Sequence, residues 1–436
     1  MNKIDLNPIF LKIFLYILIL IVPLTIVLRS LTINLNLILI SLIILYYFLL
    51  KKNLFIFKEE LIRYLCLFLF YVLFNSVYNF NNLEIFVKSV GNFRYIILTI
   101  AVFFVLNTLS ENKKNLFIYI NFIFIILIGL DIIYQFIFYQ NIFGFKPGMC
   151  DENLENCQRF AGIFNDELIA GGFISQIGVL ILFLLETIKI INNRLKFFIK
   201  IIFGIFLFII ILITGERNAL LIFYIALFFY FFFNRKIIYF MTLNIFLILF
   251  IILIGQFSNS IKARYLEISD VSWTNESQLF TETLKRNITN SPWSYHYQAA
   301  FELFLQKPIT GHGPKSFRNK CKDTKIEKRL IKDYDLYFGY KSCSTHPHSY
   351  MMEFLSEYGI IGFLFFIILF IKIFLKLFKF RNQSNQKNII LLVGTGSILL
   401  AIIFPFKPSG SFFSTFNATV FFYIFGFFLH YLKQNK

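Results

Sequence analysis

Five histidines occur in 436 residues, and two of them fall within three residues: Thr345-His346-Pro347-His348-Ser349-Tyr350, where a long polar stretch gives way to an apolar run. The proline between the imidazoles suits the first turn of a helix, with Ser344 or Thr345 as its cap. That puts His346 and His348 at a helix N-terminus, where free N–H groups and the helix dipole favour an anion and disfavour an imidazolium. A neutral histidine beside an anion site is what general-base chemistry needs. A polar helix cap would account for the pair alone, so the rest of the chain has to decide. The second group is Arg217 in Thr214-Gly215-Glu216-Arg217. An arginine entering an apolar run needs a partner or a purpose, and Glu216, pointing elsewhere on a helix, is an imperfect partner. Arginine grips phosphate oxygens bidentately, so Arg217 with the loop cations Lys315, Arg318, Lys320 and Lys322 outlines a basin for a diphosphate. Each lysine taken singly reads as a solvated loop face. Asp131, a carboxylate inside an apolar run, is a further candidate by position.

The elements that must hold these groups are membrane helices. The chain is 58% hydrophobic, and apolar segments of roughly 18–25 residues recur along it, the length that crosses a bilayer. Lipid cannot satisfy an open backbone, so such spans are helical. They fall near residues 9–28, 31–50, 61–79, 95–109, 115–138, 168–190, 198–214, 218–233, 237–256, 349–372, 388–404 and 418–432. The expectation is an all-α integral membrane protein of about twelve spans, both termini cytoplasmic. Residues 1–256 carry nine spans, 257–348 form a large periplasmic loop, and 349–436 carry the last three. The net charge of +18 sits mostly in short loops on one side, which sets orientation and gives no reason to expect nucleic acid. Lys88 and Arg94, on the semi-polar stretch 81–94, lie along the outer interface. The first apolar run is long and Arg29-Ser30 follows it without a small-x-small site, so no cleavable signal is expected.

Four of the five cysteines fall outside the bilayer, as Cys150/Cys157 in one loop and Cys321/Cys343 in another, and Cys66 lies in a span. An oxidising compartment permits two disulfides. Closing Cys321 to Cys343 would constrain about twenty residues directly before His346, worth roughly 3 kcal/mol in the chain-entropy model. In the large loop, residues 294–306 read as an amphipathic helix with Tyr297, Ala300, Phe301, Phe304 and Leu305 on its apolar side. Lys307-Pro308 stops it, and Gly311-His312-Gly313-Pro314 makes a turn. At 100° per residue Glu353 and Glu357 lie about 140° and 180° from His348, so a carboxylate that orients His348 must come from another element. Gly359 and Gly362 would let another span approach.

Thr345-His346-Pro347-His348-Ser349-Tyr350 with Glu353, Glu357, Gly359 and Gly362 resembles the signature of the O-antigen ligase and polymerase superfamily: a histidine, then Asn, Ser or Gln, nine residues, Gly, two residues, and a small residue. Arg217 with Leu221 resembles the family's arginine-to-leucine spacing. Gly311-His312-Gly313-Pro314 with Phe317-Arg318 resembles its Gly-x-Gly-Pro turn, and the preceding helix, Tyr297 to Pro308, also fits. The motifs cover residues 145–370. The resemblance implies a GT-C-like membrane glycosyltransferase, inverting, metal-independent and without a cofactor, in the bacterial inner membrane with its active site on the periplasmic side. It implies an undecaprenyl-diphosphate-linked glycan as donor and a sugar hydroxyl of lipid A-core, or another glycan, as acceptor. His348 and Arg217 become the catalytic candidates, and His346, Arg318, Arg286, Arg264, His296 and Lys315 the substrate-binding ones. The family's second arginine, ahead of the loop helix, has no clear counterpart, since Trp293 or His296 stands there and Arg264, Arg286 and Arg318 lie nearby in sequence. A polymerase shares the layout with a ligase. A protein O-oligosaccharyltransferase acceptor stays open, and a polysaccharide transporter would place its polar features nearer the midplane.

Overall fold

The computed structural model describes residues 8–51, 59–80, 83–150, 157–167, 169–188, 192–266, 292–332, 341–381 and 386–435. Among these the chain is helical, with one isolated antiparallel bridge, Gly148 to Arg159. In order the helices are α1 (Pro8–Leu20), α2 (Val22–Val27), α3 (Arg29–Lys51), α4 (Glu60–Tyr78), α5 (Leu83–Gly91), α6 (Phe93–Thr108) and α7 (Glu111–Phe138). Then come α8 (Ala170–Thr187, with a π turn at Ile174–Gly178), α9 (Asn193–Ile213), α10 (Arg217–Phe233) and α11 (Ile237–Phe257). The loop region holds a π turn at Lys262–Leu266, α12 (Pro292–Gln306) and α13 (Lys325–Lys332), and the chain finishes with α14 (Tyr350–Phe380), α15 (Gln386–Ile402) and α16 (Thr415–Gln434).

Nine helical stretches among the described residues are long and apolar enough to cross a membrane. Within α1, α10 and α15 the apolar stretches are shorter than 18 residues. The expected surface stretch near residues 81–94 instead joins α5 to α6 across Asn92, making one apolar run, Leu83–Thr108. Helices sort by how far round their circumference is apolar and covered. α16 is buried continuously from Ala418 to Leu432 and packs on α6 and α15. α11 shows nearly all its apolar side chains to the outside, which is tolerable only where the surroundings are lipid. α15 in turn packs on α10, so the starts of α10, α14 and α16 gather at one end of the bundle.

Helix α14 is broken at Gly359, whose φ is +64°. There the turn after α12 knits into it: Ile360 N donates to Pro308 O at 2.8 Å, His312 N to Ser356 O at 3.0 Å, and Gly313 N to Glu357 O at 2.8 Å. A Cβ on Gly359 would stand 2.3 Å from Ile309 O. Gly359 therefore admits a loop backbone where the sequence led us to expect another span; Gly362 does lie against a span, beside Tyr71 of α4. The buried face of α12 also differs from the expected one. Tyr295, His296, Ala299, Ala300 and Leu303 are covered, whereas Phe301 and Leu305 are exposed. Small alanines let α12 sit close on α14, and His296 is accommodated because its Nδ1 meets Ser342 O at 2.7 Å.

Asp131 has a structural use. Its carboxylate accepts from Ile142 N at 3.1 Å and Asn141 Nδ2 at 3.3 Å, pinning the turn that follows α7.

Candidate active site

At the gathered end lies a cavity of about 1030 Å³, at the upper edge of the range usual for ligand sites. Its lining combines Arg159, Arg217, Arg264, Lys315, Arg318 and Lys407 with His346 and His348. The starts of α8, α10, α14 and α16 also face it, through Gly172, Arg217, Tyr350 and Phe416, so several helix dipoles add to the positive potential.

The arginines are set by the tight turn between α9 and α10. Gly215 has φ +66°, and a Cβ there would come within 2.1 Å of Gln158 O. The turn therefore lies directly on the segment carrying Arg159. Arg264 Nε donates to Gly215 O at 2.6 Å, and Arg217 Nε donates to Arg264 O at 2.8 Å. Both guanidiniums are thus tied by one nitrogen to backbone carbonyls, and among the described residues their remaining donors are available to meet an anion. Burial depresses the Arg264 guanidinium, as do Arg159 and Arg217 beside it. Glu216 turns away from Arg217: its carboxylate accepts from Gly171 N at 2.8 Å and Gly172 N at 3.1 Å at the start of α8. Burial raises that carboxyl to about 7, against the pull of these N–H groups and of Arg159.

The histidines do not start the helix as the sequence suggested. Ser349 is the N-cap of α14, its hydroxyl accepting from Met352 N. His348 precedes the cap with φ +55°, a conformation rare for a residue with a Cβ. It is held there by Ser409 N, which donates to His348 O at 2.9 Å. The Glu353 carboxylate accepts from Ser411 Oγ and from Phe412 N at 2.9 Å, so it reaches His348 only through the loop 403–414. The ring of His348 lies 4.2 Å from that of His346, 5.0 Å from His296 and 4.5 Å from Trp293, centroid to centroid. Burial, then His346 and His296, pushes His348 down to about 3. Burial, then Lys315, His296 and Arg318, pushes His346 down to about 4. Both imidazoles are neutral, as expected, but through desolvation and crowding by like groups.

Several buried polar atoms on this lining have no hydrogen-bond partner: Arg159 Nε, Gln176 Oε1, Asn218 Oδ1, His346 Nε2 and Ser409 Oγ. Buried polar atoms are normally paired with protein or water, so these five groups are available to a polar occupant of the cavity.

Of the residues singled out in the sequence, His348, His346, Arg217, Arg264, Arg318 and Lys315 line the cavity. His296 stacks behind His348 and is off the lining; because Ser342 O can only accept, its Nδ1 carries the proton. Lys320 and Lys322 are exposed away from the cavity, and His312 Nε2 bonds Leu303 O at 2.9 Å, a structural contact. Arg286 lies outside the described residues. Cys150 pairs with Cys157 and Cys321 with Cys343, bracing the segments that present Arg159 and His346. Sequence reasoning missed Arg159, Lys407 and Ser409 as lining residues. Arg159, two residues beyond Cys157 and on the Gly148 bridge, carried a usable signal; the loop 403–414 carried none. His296, His346 and His348 lie ring to ring, yet among the described residues no group of three or more His, Cys, Asp or Glu is arranged to hold a metal ion.

Among curated proteins, none matches the chain. Residues 202–367 match the model of a family described as O-antigen ligase. That range includes Arg217, Arg264, Lys315, Arg318, His346 and His348, and starts further along the chain than the motifs had indicated. The segment that supplies most of the cavity's cations and both of its histidines is thus the part that is similar to the O-antigen ligase family, a likeness that supports a ligase- or polymerase-type membrane enzyme.

Proposed function

We propose that the protein is a membrane glycosyltransferase of O-antigen ligase type. It takes a glycan from an undecaprenyl-diphosphate donor on the periplasmic face and delivers it to a sugar hydroxyl of lipid A-core. The observation that carries this reading is a single cavity in which four arginines meet two imidazoles whose burial disfavours protonation. A diphosphate is the leaving group best matched to such a cluster, because guanidinium forks fit phosphate oxygens and stabilise charge as it develops. The outward orientation is supported by the distribution of basic loops.

In this mechanism Arg217, Arg264 and Arg159 hold the diphosphate. The acceptor oxygen attacks the anomeric carbon, the bond to the phosphate oxygen breaks, and the electron pair leaves with the diphosphate. His348 takes the hydroxyl proton. A histidine at about 3 is a weak base in the empty cavity. The arriving diphosphate brings negative charge next to the ring, which raises its basicity and couples proton acceptance to donor binding.

The test is glycolipid analysis of a strain lacking the protein, complemented by His348→Ala or Arg217→Ala. The expected result is long glycan stranded on undecaprenyl diphosphate, with neither variant restoring transfer although both insert in the membrane. Accumulation of single repeat units would replace the ligase reading with a polymerase, and full activity in both variants would remove the mechanism.

A further inference from the structure

The loop 403–414, between α15 and α16, lies outside the segment matched by the family, yet Lys407, Pro408, Ser409, Gly410 and Ser411 all line the cavity. Lys407 is 3% exposed. Its Nζ makes one long bond, 3.4 Å to Pro408 O, and stands 4.9 Å from the centre of the Tyr350 ring. Glu353, whose carboxylate bonds into this loop, is already engaged by Ser411 Oγ and Phe412 N. Ser409, two residues on, has a buried hydroxyl with no partner while its N–H holds His348 O. A buried ammonium with a carbonyl and an aromatic face for company is costly unless something anionic joins it.

We infer that Lys407, with the Ser409 hydroxyl, is a binding group for the phosphate oxygens of a lipid-linked diphosphate. It adds a cation from another loop to the arginines of the same lining and ties anion binding to the loop that positions His348. The inference rests on the glycosyl-transfer reading and adds a phosphate-contacting residue that no motif contains. Lysine suits the place, being a compact charge with three donors on a stem that can follow the diphosphate. Burial pushes Lys407 down to about 7, so an incoming anion also restores its full charge. The group forms no covalent bond; it neutralises the oxygens that receive the electron pair.

The experiment uses the full chain in lipid nanodiscs, titrated with a polyprenyl diphosphate and followed by thermal denaturation. Lys407→Met is expected to melt no lower than the parent without ligand, because it removes a buried charge and keeps the length. It should weaken diphosphate binding on the order of 10–100-fold, with Lys407→Arg recovering part of the loss and Ser409→Ala losing less. Unchanged binding by Lys407→Met, or a lower melting temperature with the ligand shift intact, makes Lys407 structural and overturns the inference. Arg217→Ala separates the two levels. Binding lost in Arg217→Ala but kept in Lys407→Met sinks the inference alone, whereas a parent protein that binds no diphosphate sinks both.

Discussion

The two ends of the helix bundle use most of their cations differently, although Arg29 also meets a carboxylate, Asp166, near the cavity. At one end, lysines answer carboxylates: Lys376 lies 2.7 Å from Glu60, Lys200 2.6 Å from Glu186, and Lys114 3.0 Å from Glu111. At the other, Arg217 and Arg264 donate to backbone carbonyls, Lys407 to a carbonyl at long range, and unpaired polar atoms share the same lining. A cation matched by a carboxylate is at rest. Lys407, buried and answered only by a carbonyl and an aromatic ring, is poised to meet an anion, and that contrast is the basis of the proposed function.

The comparison is broken most sharply by removing the groups with unmet valences. His348→Ala should lower transfer by about 10²–10⁴-fold, the usual weight of a general base. Arg264→Ala and Arg159→Ala should each cost about 10²–10³-fold if they stabilise the departing charge, with donor binding weakened in parallel; steady-state transfer assays read both. Exposed Arg318 should matter much less. Equal losses at Arg318 and Arg264 would mean that position in the cavity does not rank the cations.

Next in size is the brace beneath the histidines. Reducing the Cys321–Cys343 bond, or replacing both residues by serine, releases a 22-residue separation and should cost roughly 3 kcal/mol of stability in the chain-entropy model. Thiol labelling of the native chain should find only Cys66 free. A smaller effect follows from the neutral imidazoles. His346 and His348 sit at about 4 and about 3, against roughly 6.5 when unfolded. As pH falls below about 6.5 the unfolded chain binds protons that the folded one refuses, so stability declines toward pH 4. Thermal melts stepped through that window should show the decline, and His346→Phe should flatten it. Least affected of all should be Lys376→Ala at the paired end, worth at most about 1 kcal/mol and leaving transfer unchanged.

How much of this was readable in advance follows from what each feature depends on. The all-helical, membrane-type character was legible because lipid leaves a backbone no choice, whereas the expected twelve spans compare with nine sufficiently long apolar helices among the described residues. Arg217 stood out because it interrupts an apolar run. The pairing of His346 with His348 was legible as well, but not its geometry: Ser349 won the cap, so His348 fell outside the helix. The covered face of α12 was only partly read: Ala300 is buried as expected, but hydrophobicity also favours Phe301 and Leu305, while close packing selected Ala299 and Leu303. Lys407 could not be read at all, since its burial exists only once α15 and α16 deliver the loop 403–414 to the cavity.

The central claim, a cavity built for a lipid-linked diphosphate, is most directly tested by equilibrium binding of undecaprenyl diphosphate to the purified protein and its Arg217→Ala/Arg264→Ala variant. Saturable binding by the parent, weakened at least about 100-fold in the variant, is the predicted result. Equal affinity in the two proteins would contradict it.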